Sequence, residues 1–99
     1  MVLIQINFDF PAEMMGDALT NGAKQLAESI NNEDGFISKI WIENAQTEES
    51  GGIYLFKDMA SAEKYAQMHV KRVEAMGAKN ITSKFFNVNE TLSIINHGI

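Results

Sequence analysis

The 99-residue chain has no cysteine, a single proline and few basic residues, and these scarcities exclude several classes of protein. Without cysteine there is no disulfide framework, no thiolate nucleophile and no zinc-ribbon spacing. Eight Lys and Arg residues against thirteen Asp and Glu give a net charge of −5. This balance argues against a nucleic-acid partner, because phosphate binding requires clustered basic residues. Two histidines without a nearby carboxylate cluster argue against a metal site.

Long apolar segments are also missing. No run approaches the roughly 18 apolar residues of a membrane span, and no basic segment precedes the first apolar residues. We therefore expect a soluble, cytoplasmic protein with no membrane partner. The apolar fraction of 45% and the charged fraction of 21% are ordinary for a globular protein. The length predicts one domain that comprises residues 1–99.

Residues 34–58, in the middle of the chain, predict a β-hairpin. Two β-rich runs, 36–43 and 51–58, flank a polar connector, and the second run begins with paired glycines. Every residue of 53–56 is apolar or aromatic, so the side chains on both faces of this strand require cover. One layer of helices can cover only one of these faces.

The rest of the pattern predicts two helices and two further strands. Residues 2–10 alternate between an apolar and a mixed face, as a strand does, and Pro11 ends its pairing. Apolar residues recur at helical spacing from about 14 to 32, and again between Asp58, an expected cap, and Gly77. Residues 80–88 predict a last strand, and residues 89–99 form a partly apolar tail.

The predicted order is strand, helix, strand, strand, helix, strand. This order is typical of the α+β, ferredoxin-like βαββαβ fold, a four-stranded antiparallel sheet with two helices on one face. Because the other face of the sheet is also apolar, we expect a second copy of the chain to cover it. The expected assembly is a C2 homodimer in which the two sheets stack and the tail, residues 89–99, contacts the partner subunit.

Several short segments together carry a resemblance to a known family. They are Glu28-Ser29-Ile30-Asn31, Gly35-Phe36, Lys39, Trp41, Glu43, Gly51-Gly52-Ile53-Tyr54-Leu55-Phe56 and Asn87-Val88-Asn89-Glu90. With these segments the chain resembles the YdhR-type mono-oxygenases of the dimeric α/β-barrel superfamily, which are relatives of the antibiotic-biosynthesis monooxygenases. The resemblance runs over most of the chain. It implies a homodimer whose two sheets close into a dimeric α/β barrel, with a pocket between each sheet and its helices.

The resemblance also implies an activity. Better-characterised relatives oxidise polycyclic phenols or quinols with molecular oxygen, so we expect a monooxygenase that acts on a small aromatic molecule without flavin, metal or any other cofactor. A non-catalytic barrel that binds a hydrophobic ligand, for instance in a stress response, is one alternative. A haem-binding or haem-degrading protein is another, since other members of the superfamily handle haem.

The haem alternative depends on three residues. The haem-degrading relatives use a helix histidine, for which His69 is the match, and a strand asparagine, for which Asn7 is the match. They also use a tryptophan on the third strand. That tryptophan is absent here, because Tyr54 and Phe56 occupy the third strand and Trp41 lies on the second.

His69 and Asn7 are the candidate catalytic residues. His69 lies on the apolar stripe of the second predicted helix, between Tyr65 and Val73, so it should point toward the sheet. An imidazole with an ordinary pKa of ~6.5 can accept a phenolic proton at neutral pH; a core histidine bonded to a backbone carbonyl is the alternative. Asn7 could donate a hydrogen bond to a substrate hydroxyl or to reduced oxygen, or it could lie at the surface or in an interface.

Aromatic side chains are the candidates for binding a flat substrate. The predicted substrate-binding residues are Trp41, Tyr54, Tyr65 and Phe56. Packing or a dimer contact is the alternative role for Trp41. Lys39 and Glu43 share a strand face with Trp41, and we interpret them as a cross-dimer ion pair rather than as an acid–base pair.

Overall fold

The computed structural model describes residues 1–99 as an antiparallel sheet covered by helices on one face. The strands are β1 (Val2–Asp9), β2 (Phe36–Asn44), β3 (Glu49–Phe56) and β4 (Lys79–Asn87), and they lie in the order β2-β3-β1-β4. The helices are α1 (Asp17–Gly22), α2 (Lys24–Ile30), α3 (Met59–Ala75) and α4 (Glu90–Ile95). All three strand pairings are antiparallel, so the predicted ferredoxin-like α+β fold is confirmed.

The core lies between the sheet and α3. Along β1, Val2, Ile4 and Ile6 are buried, and the residues between them are partly exposed on the opposite face. This is the two-residue period that a strand requires when only one of its faces is packed. The stripe of α3 that faces these residues is buried as the helical spacing predicted, and it consists of Ala62, Tyr65, Ala66, His69 and Val73.

Both ends of α3 follow from local chemistry. The side chain of Asp58 accepts a hydrogen bond from the amide of Ser61 at 2.8 Å, so the predicted cap is confirmed. At the other end, Gly77 has a φ of +99°, which an L side chain rarely adopts. Met76, the last residue of the predicted stripe, lies just beyond the helix and is largely exposed.

The first predicted helix is not continuous, and that prediction was wrong. A 3-10 turn (Ala12–Met14) precedes α1, and Ala23, with φ −106° and ψ 4°, separates α1 from α2. Gly16 has a φ of +63° immediately before α1, and Gly22 ends it. Glycine disfavours a helix interior by roughly 1 kcal/mol relative to alanine. The apolar stripe is nevertheless kept, because Met15, Ala23 and Ile30 are buried.

The other face of the sheet is apolar and accessible to solvent in the single chain. The partly buried residues on it are Leu3, Ile42, Ile53 and Leu55. Ile40 on β2 is 65% exposed, and Phe86 on β4 is 48% exposed. The tail, which contains α4, adds three exposed apolar side chains, Leu92, Ile94 and Ile95. The sheet therefore has one packed face and one uncovered face that carries these apolar side chains together with Gln5 and Asn7 of β1.

Candidate active site

A cavity lies between the packed face of the sheet and helices α1 to α3. It contains about 450 Å³ of space between atoms, a figure that includes solvent at its mouth. Nine of its thirteen lining residues are hydrophobic. The interior is narrow, since water-sized molecules fit in only a small part of the space. The interior is therefore narrow and largely apolar, and an aromatic ligand would need its walls to move apart.

Strands β2 and β3 supply most of the polar groups of this cavity. Lys39 lies opposite Tyr54, and Trp41 lies opposite Gly52, so all four positions share the face that the helices cover. A Cβ atom at Gly52 would lie 2.8 Å from Cε of Lys39 and 2.9 Å from the Tyr54 ring. Because Gly52 lacks a side chain, Lys39 and Tyr54 can both extend into the cavity.

His69 reaches the cavity from α3 and is 2% exposed. Its ring stacks on Tyr65 at a centroid distance of 5.1 Å and meets the edge of Tyr54 at 5.8 Å. Its Nδ1 atom lies 3.1 Å from a terminal guanidinium nitrogen of Arg72. Because a guanidinium can only donate, Nδ1 accepts, and the neutral ring carries its proton on Nε2.

This arrangement makes His69 a hydrogen-bond donor to the cavity. Burial, together with the charges of Lys39 and Arg72, lowers the pKa of His69 to about 3. The ring is therefore neutral near pH 7, and Nδ1, its accepting nitrogen, is already bonded to Arg72. The role of general base that the sequence suggested for His69 does not fit this geometry, whereas donation from Nε2 does.

Lys39 is the positive group of the cavity. Its Nζ atom lies 3.3 Å from the ring centroid of Trp41 and 4.6 Å from that of Tyr54. No carboxylate pairs with it, because the two ion pairs of the chain join other groups. Burial, with a contribution from the charge of Arg72, lowers the pKa of Lys39 to about 7. Lys39 therefore titrates near neutrality inside an apolar cavity.

Lys39 and Glu43, which we interpreted as a cross-dimer ion pair, do not form an ion pair with each other or with any other group of this chain. Both residues lie on the helix-covered face of β2, together with Trp41, and not on the uncovered face where two sheets would stack. The carboxylate of Glu43 instead accepts a hydrogen bond from the backbone amide of Gly16 at 3.0 Å within the same chain. This bond fixes the start of α1 against the end of β2.

The two tyrosines beside His69 remain protonated. Burial raises the pKa of Tyr65 to about 12 and raises the pKa of Tyr54 well above its ordinary value. The hydroxyl of Tyr65 and Nε of Arg72 are buried without a hydrogen-bond partner in the protein. Near neutral pH these tyrosines can donate a proton in a hydrogen bond, but they cannot act as bases.

The structure brings three of the predicted site residues together, namely His69, Trp41 and Tyr54, which all line the cavity. Tyr65 does not line it but stacks on His69. Phe56 is fully buried in the core, where it packs against Tyr65 and Phe36. Tyr65 can therefore influence a ligand only indirectly, through His69 and Tyr54. Phe56, predicted to contact the substrate, lies in the core and not at the cavity.

Asn7 does not join this group. It lies on the opposite face of the sheet, where its side-chain oxygen accepts a hydrogen bond from Gln5 at 3.4 Å. Asn7 and His69 are therefore separated by the sheet, and the pair that the haem-degrading pattern places around one ligand does not form within this chain. No three His, Asp or Glu side chains converge to hold a metal ion anywhere in the chain.

Arg72 was not among the predicted site residues, and Lys39 was predicted at a dimer contact rather than in the cavity. Arg72 follows His69 by three residues, and this spacing puts both on one side of a helix. Lys39 precedes Trp41 by two residues, so it shares whichever face Trp41 takes. The sequence therefore shows that Arg72 lies near His69 and that Lys39 lies near Trp41. It does not show which face of β2 the helices cover.

A second, more open cleft adjoins the cavity. It encloses about 520 Å³ between α1, α2 and β2, and it shares Leu19, Ala23 and Trp41 with the cavity. Trp41, which is 38% exposed, therefore forms the wall between the inner cavity and the outer cleft. None of the helices is both long and apolar enough to traverse a bilayer.

Comparison with known proteins supplies a family. The family model described as "Putative mono-oxygenase ydhR" matches residues 3–99. A crystal structure from Deinococcus radiodurans, described as a putative antibiotic biosynthesis monooxygenase, is similar with a TM-score of 0.66. The match covers 90% of this chain and 93% of that chain at 12% sequence identity, so this likeness concerns the fold alone. No curated protein matches the chain.

Proposed function

Because the chain belongs to the ydhR mono-oxygenase family, we propose that it oxidises a small phenol or quinol with molecular oxygen, without flavin or metal. The observation that carries this proposal is the cavity itself. It is largely apolar, it has aromatic walls from Trp41 and Tyr54, and it contains the imidazole donor His69 and one amine, Lys39. These features match a flat aromatic ligand with one polar substituent.

In the proposed reaction the substrate supplies the electrons. A phenolate transfers one electron to O2, and the resulting phenoxyl radical and superoxide combine to a peroxide anion. This anion takes up the proton that the phenol had lost and becomes a hydroperoxide. Loss of water then leaves a quinone, so one oxygen atom enters the product and the other leaves as water. The protein excludes bulk water from the pair, and the Nε2–H of His69 donates to the negative charge that develops on oxygen.

Oxygen uptake tests this proposal. We expect the protein, without any added cofactor, to consume oxygen when it is supplied with phenols or hydroquinones of one to three rings. The matched controls are the methyl ethers of the same compounds, which cannot ionise and should give no uptake. Isotopically labelled O2 should put one labelled atom into each product molecule. Uptake that never exceeds the spontaneous autoxidation of any compound would refute the oxygenase proposal.

The uncovered face of the sheet supports a homodimer as part of the same proposal. Contiguous apolar patches of this kind on a soluble protein commonly mark an interface, and this one runs across all four strands from Ile40 to Phe86. A second copy that stacks its own sheet on this face would bury both patches about a two-fold axis. The exposed apolar side chains of α4 would then contact the partner subunit.

Replacing Ile40 by aspartate tests the homodimer. We expect the unmodified protein to sediment as a dimer at micromolar concentration and the Ile40→Asp variant as a folded monomer, because a two-fold axis brings two added carboxylates into one apolar interface. Met68→Asp is the control, since Met68 is also exposed but lies on α3, away from the sheet face. An unmodified protein that sediments as a stable monomer would disprove the stacking of two sheets.

A further inference from the structure

Lys39 takes no part in the transfer of electrons to oxygen, but its surroundings indicate a role in binding the ligand. We propose that Lys39 accepts the phenolic proton of the ligand and then remains beside the phenolate as its counter-ion, so that the cavity selects aromatic ligands with an acidic hydroxyl group. This inference rests on the ligand class of the proposed function, and it concerns the binding of that ligand rather than its oxidation.

The position of Lys39 supports this role. Its Nζ atom lies against the faces of two aromatic side chains that line the cavity, at 3.3 Å from the centroid of Trp41 and 4.6 Å from that of Tyr54. A flat ligand in the cavity would therefore lie beside the amine as well as beside the rings. No acidic side chain pairs with Lys39, so its positive charge is available to a ligand.

The charged and polar groups around Lys39 favour a negatively charged ligand. From α3 come the cation Arg72 and the neutral donor His69, and from β3 comes the protonated Tyr54. The carboxylate on the same face of β2, Glu43, is bonded to the amide of Gly16. The residues that line the cavity from β1, α1, α2 and the segments next to them are apolar: Phe8, Phe10, Leu19, Ala23 and Leu26.

The protonation states are compatible with proton transfer at neutral pH. The pKa of Lys39 is lowered to about 7 by burial and by Arg72, so an appreciable fraction of the side chain is the free amine. When a phenol enters, its O–H bond breaks, an N–H bond forms at Nζ, and the electron pair stays on oxygen. Two neutral groups thereby become an ion pair whose attraction is strong because the cavity is apolar.

No other group of the cavity can accept this proton near pH 7. Nε2 of His69 already carries a hydrogen, and Nδ1 is bonded to Arg72. The hydroxyl of Tyr54 keeps its own proton, because burial raises its pKa. Lys39 is therefore the proton acceptor, and it is the only lysine or arginine among the residues that line the cavity.

The binding of 4-nitrophenol tests the inference, because this phenol is yellow only as the phenolate. It should be titrated into the protein without oxygen, at about one pH unit below its own pKa, where the free dye is mostly colourless. We expect the dye bound to the unmodified protein to be yellow. In the Lys39→Met variant the bound dye should be colourless and its affinity at least about tenfold weaker, because the counter-ion is lost.

The Lys39→Arg variant separates the effect of the positive charge from that of proton acceptance, and Lys71→Met is the control. Lys39→Arg keeps a cation that cannot lose its proton, so its affinity should rise with pH to a plateau. The affinity of the unmodified protein should instead pass through a maximum and fall once Lys39 itself loses its proton. Lys71→Met removes one charge from an exposed position of α3 and should bind the dye as the unmodified protein does.

The nitrophenol titrations give different results according to whether Lys39 has the proposed role. Colourless bound dye in the unmodified protein, no binding at all, or equal yellow binding by Lys39→Met would each overturn the role of Lys39. The methyl ether of the dye should bind weakly, and with equal affinity to the unmodified protein and to Lys39→Met. Nitrophenol is electron-poor and resists oxidation, so the result is independent of turnover. Yellow binding without oxygen uptake from any phenol would refute only the oxygenase.

Discussion

The Gly51→Ala variant is expected to lose about 4 kcal/mol or more of unfolding free energy, a loss that is exceptional for a single substitution. Gly51 lies in β3, a central strand, and a Cβ atom there would overlap the carbonyl oxygen of Ile6 in the neighbouring central strand β1. Neither backbone can move without breaking strand pairing. Because small domains have only about 5–15 kcal/mol of stability, urea denaturation should show a greatly lowered midpoint or an unfolded variant.

The Gly52→Ala variant is the matched control. The nearest atoms to its added Cβ are Cε of Lys39 and the ring of Tyr54, and the end of a lysine side chain can move. Overpacking of this kind costs about 1–3 kcal/mol. The added methyl group lies between the side chains of the cavity, so this variant should fold but lose nitrophenol binding. Equal losses of stability in the two variants would contradict this account of the paired glycines.

Replacement of His69 by phenylalanine is expected to lower the rate of oxygen uptake by about 10² to 10³, the usual effect of removing a donor to a developing oxyanion. The His69→Gln variant keeps an N–H group near the position of Nε2 and should recover part of this loss. The readout is the turnover rate with the best phenol, together with its KM. A full rate in His69→Phe would show that His69 is a packing residue only.

The His69→Gln variant should also change how the free energy of unfolding depends on pH under acidic conditions. The pKa of His69 is about 3 in the folded protein and 6.5 ordinarily. Between these values the unfolded chain binds a proton that the folded chain does not, so stability falls as the pH drops from 6.5 toward 3. His69→Gln lacks this contribution, so its stability relative to that of the unmodified protein should increase as the pH falls from 6.5 toward 3.

Urea denaturation at neutral pH and midway between the two pKa values measures this difference. Two other groups also respond to acid: Lys64 lowers the pKa of Asp34, and the amide of Ser61 lowers the pKa of Asp58. Their contributions are the same in both proteins and cancel in the comparison. If His69→Gln and the unmodified protein lost stability in parallel, His69 would not be the buried neutral group described above.

Hydrophobic periodicity was sufficient to predict the order of the strands and of the main helices. The alternation along β1 and the stripe from Ala62 to Val73 on α3 predict their own burial, because a buried face must repeat with the period of its element. The break between α1 and α2 was not predicted. The apolar spacing continues across it, and only the backbone angles at Gly16 and Ala23 reveal that the helix is interrupted.

The site was predictable only in part. The sequence shows that Lys39, Trp41 and Glu43 share one face of β2 and that Ile40 and Ile42 share the other. The helices cover the face with the polar residues, whereas the isoleucines remain exposed or partly exposed. Which face the helices cover depends on the register between β2 and β3, where Lys39 lies opposite Tyr54. Such a long-range pairing is not encoded in the pattern of one strand.

The order of elements, the packed side of β1 and the inward stripe of α3 follow from residue spacing, because each depends on a local period. The meeting of Lys39, Trp41, Tyr54 and His69 in one cavity, and the bond from Arg72 that leaves the proton of His69 on Nε2, depend on distances between separate elements. The pKa values of Lys39 and His69 follow from the burial and charge that this packing creates. The folded structure alone determines them.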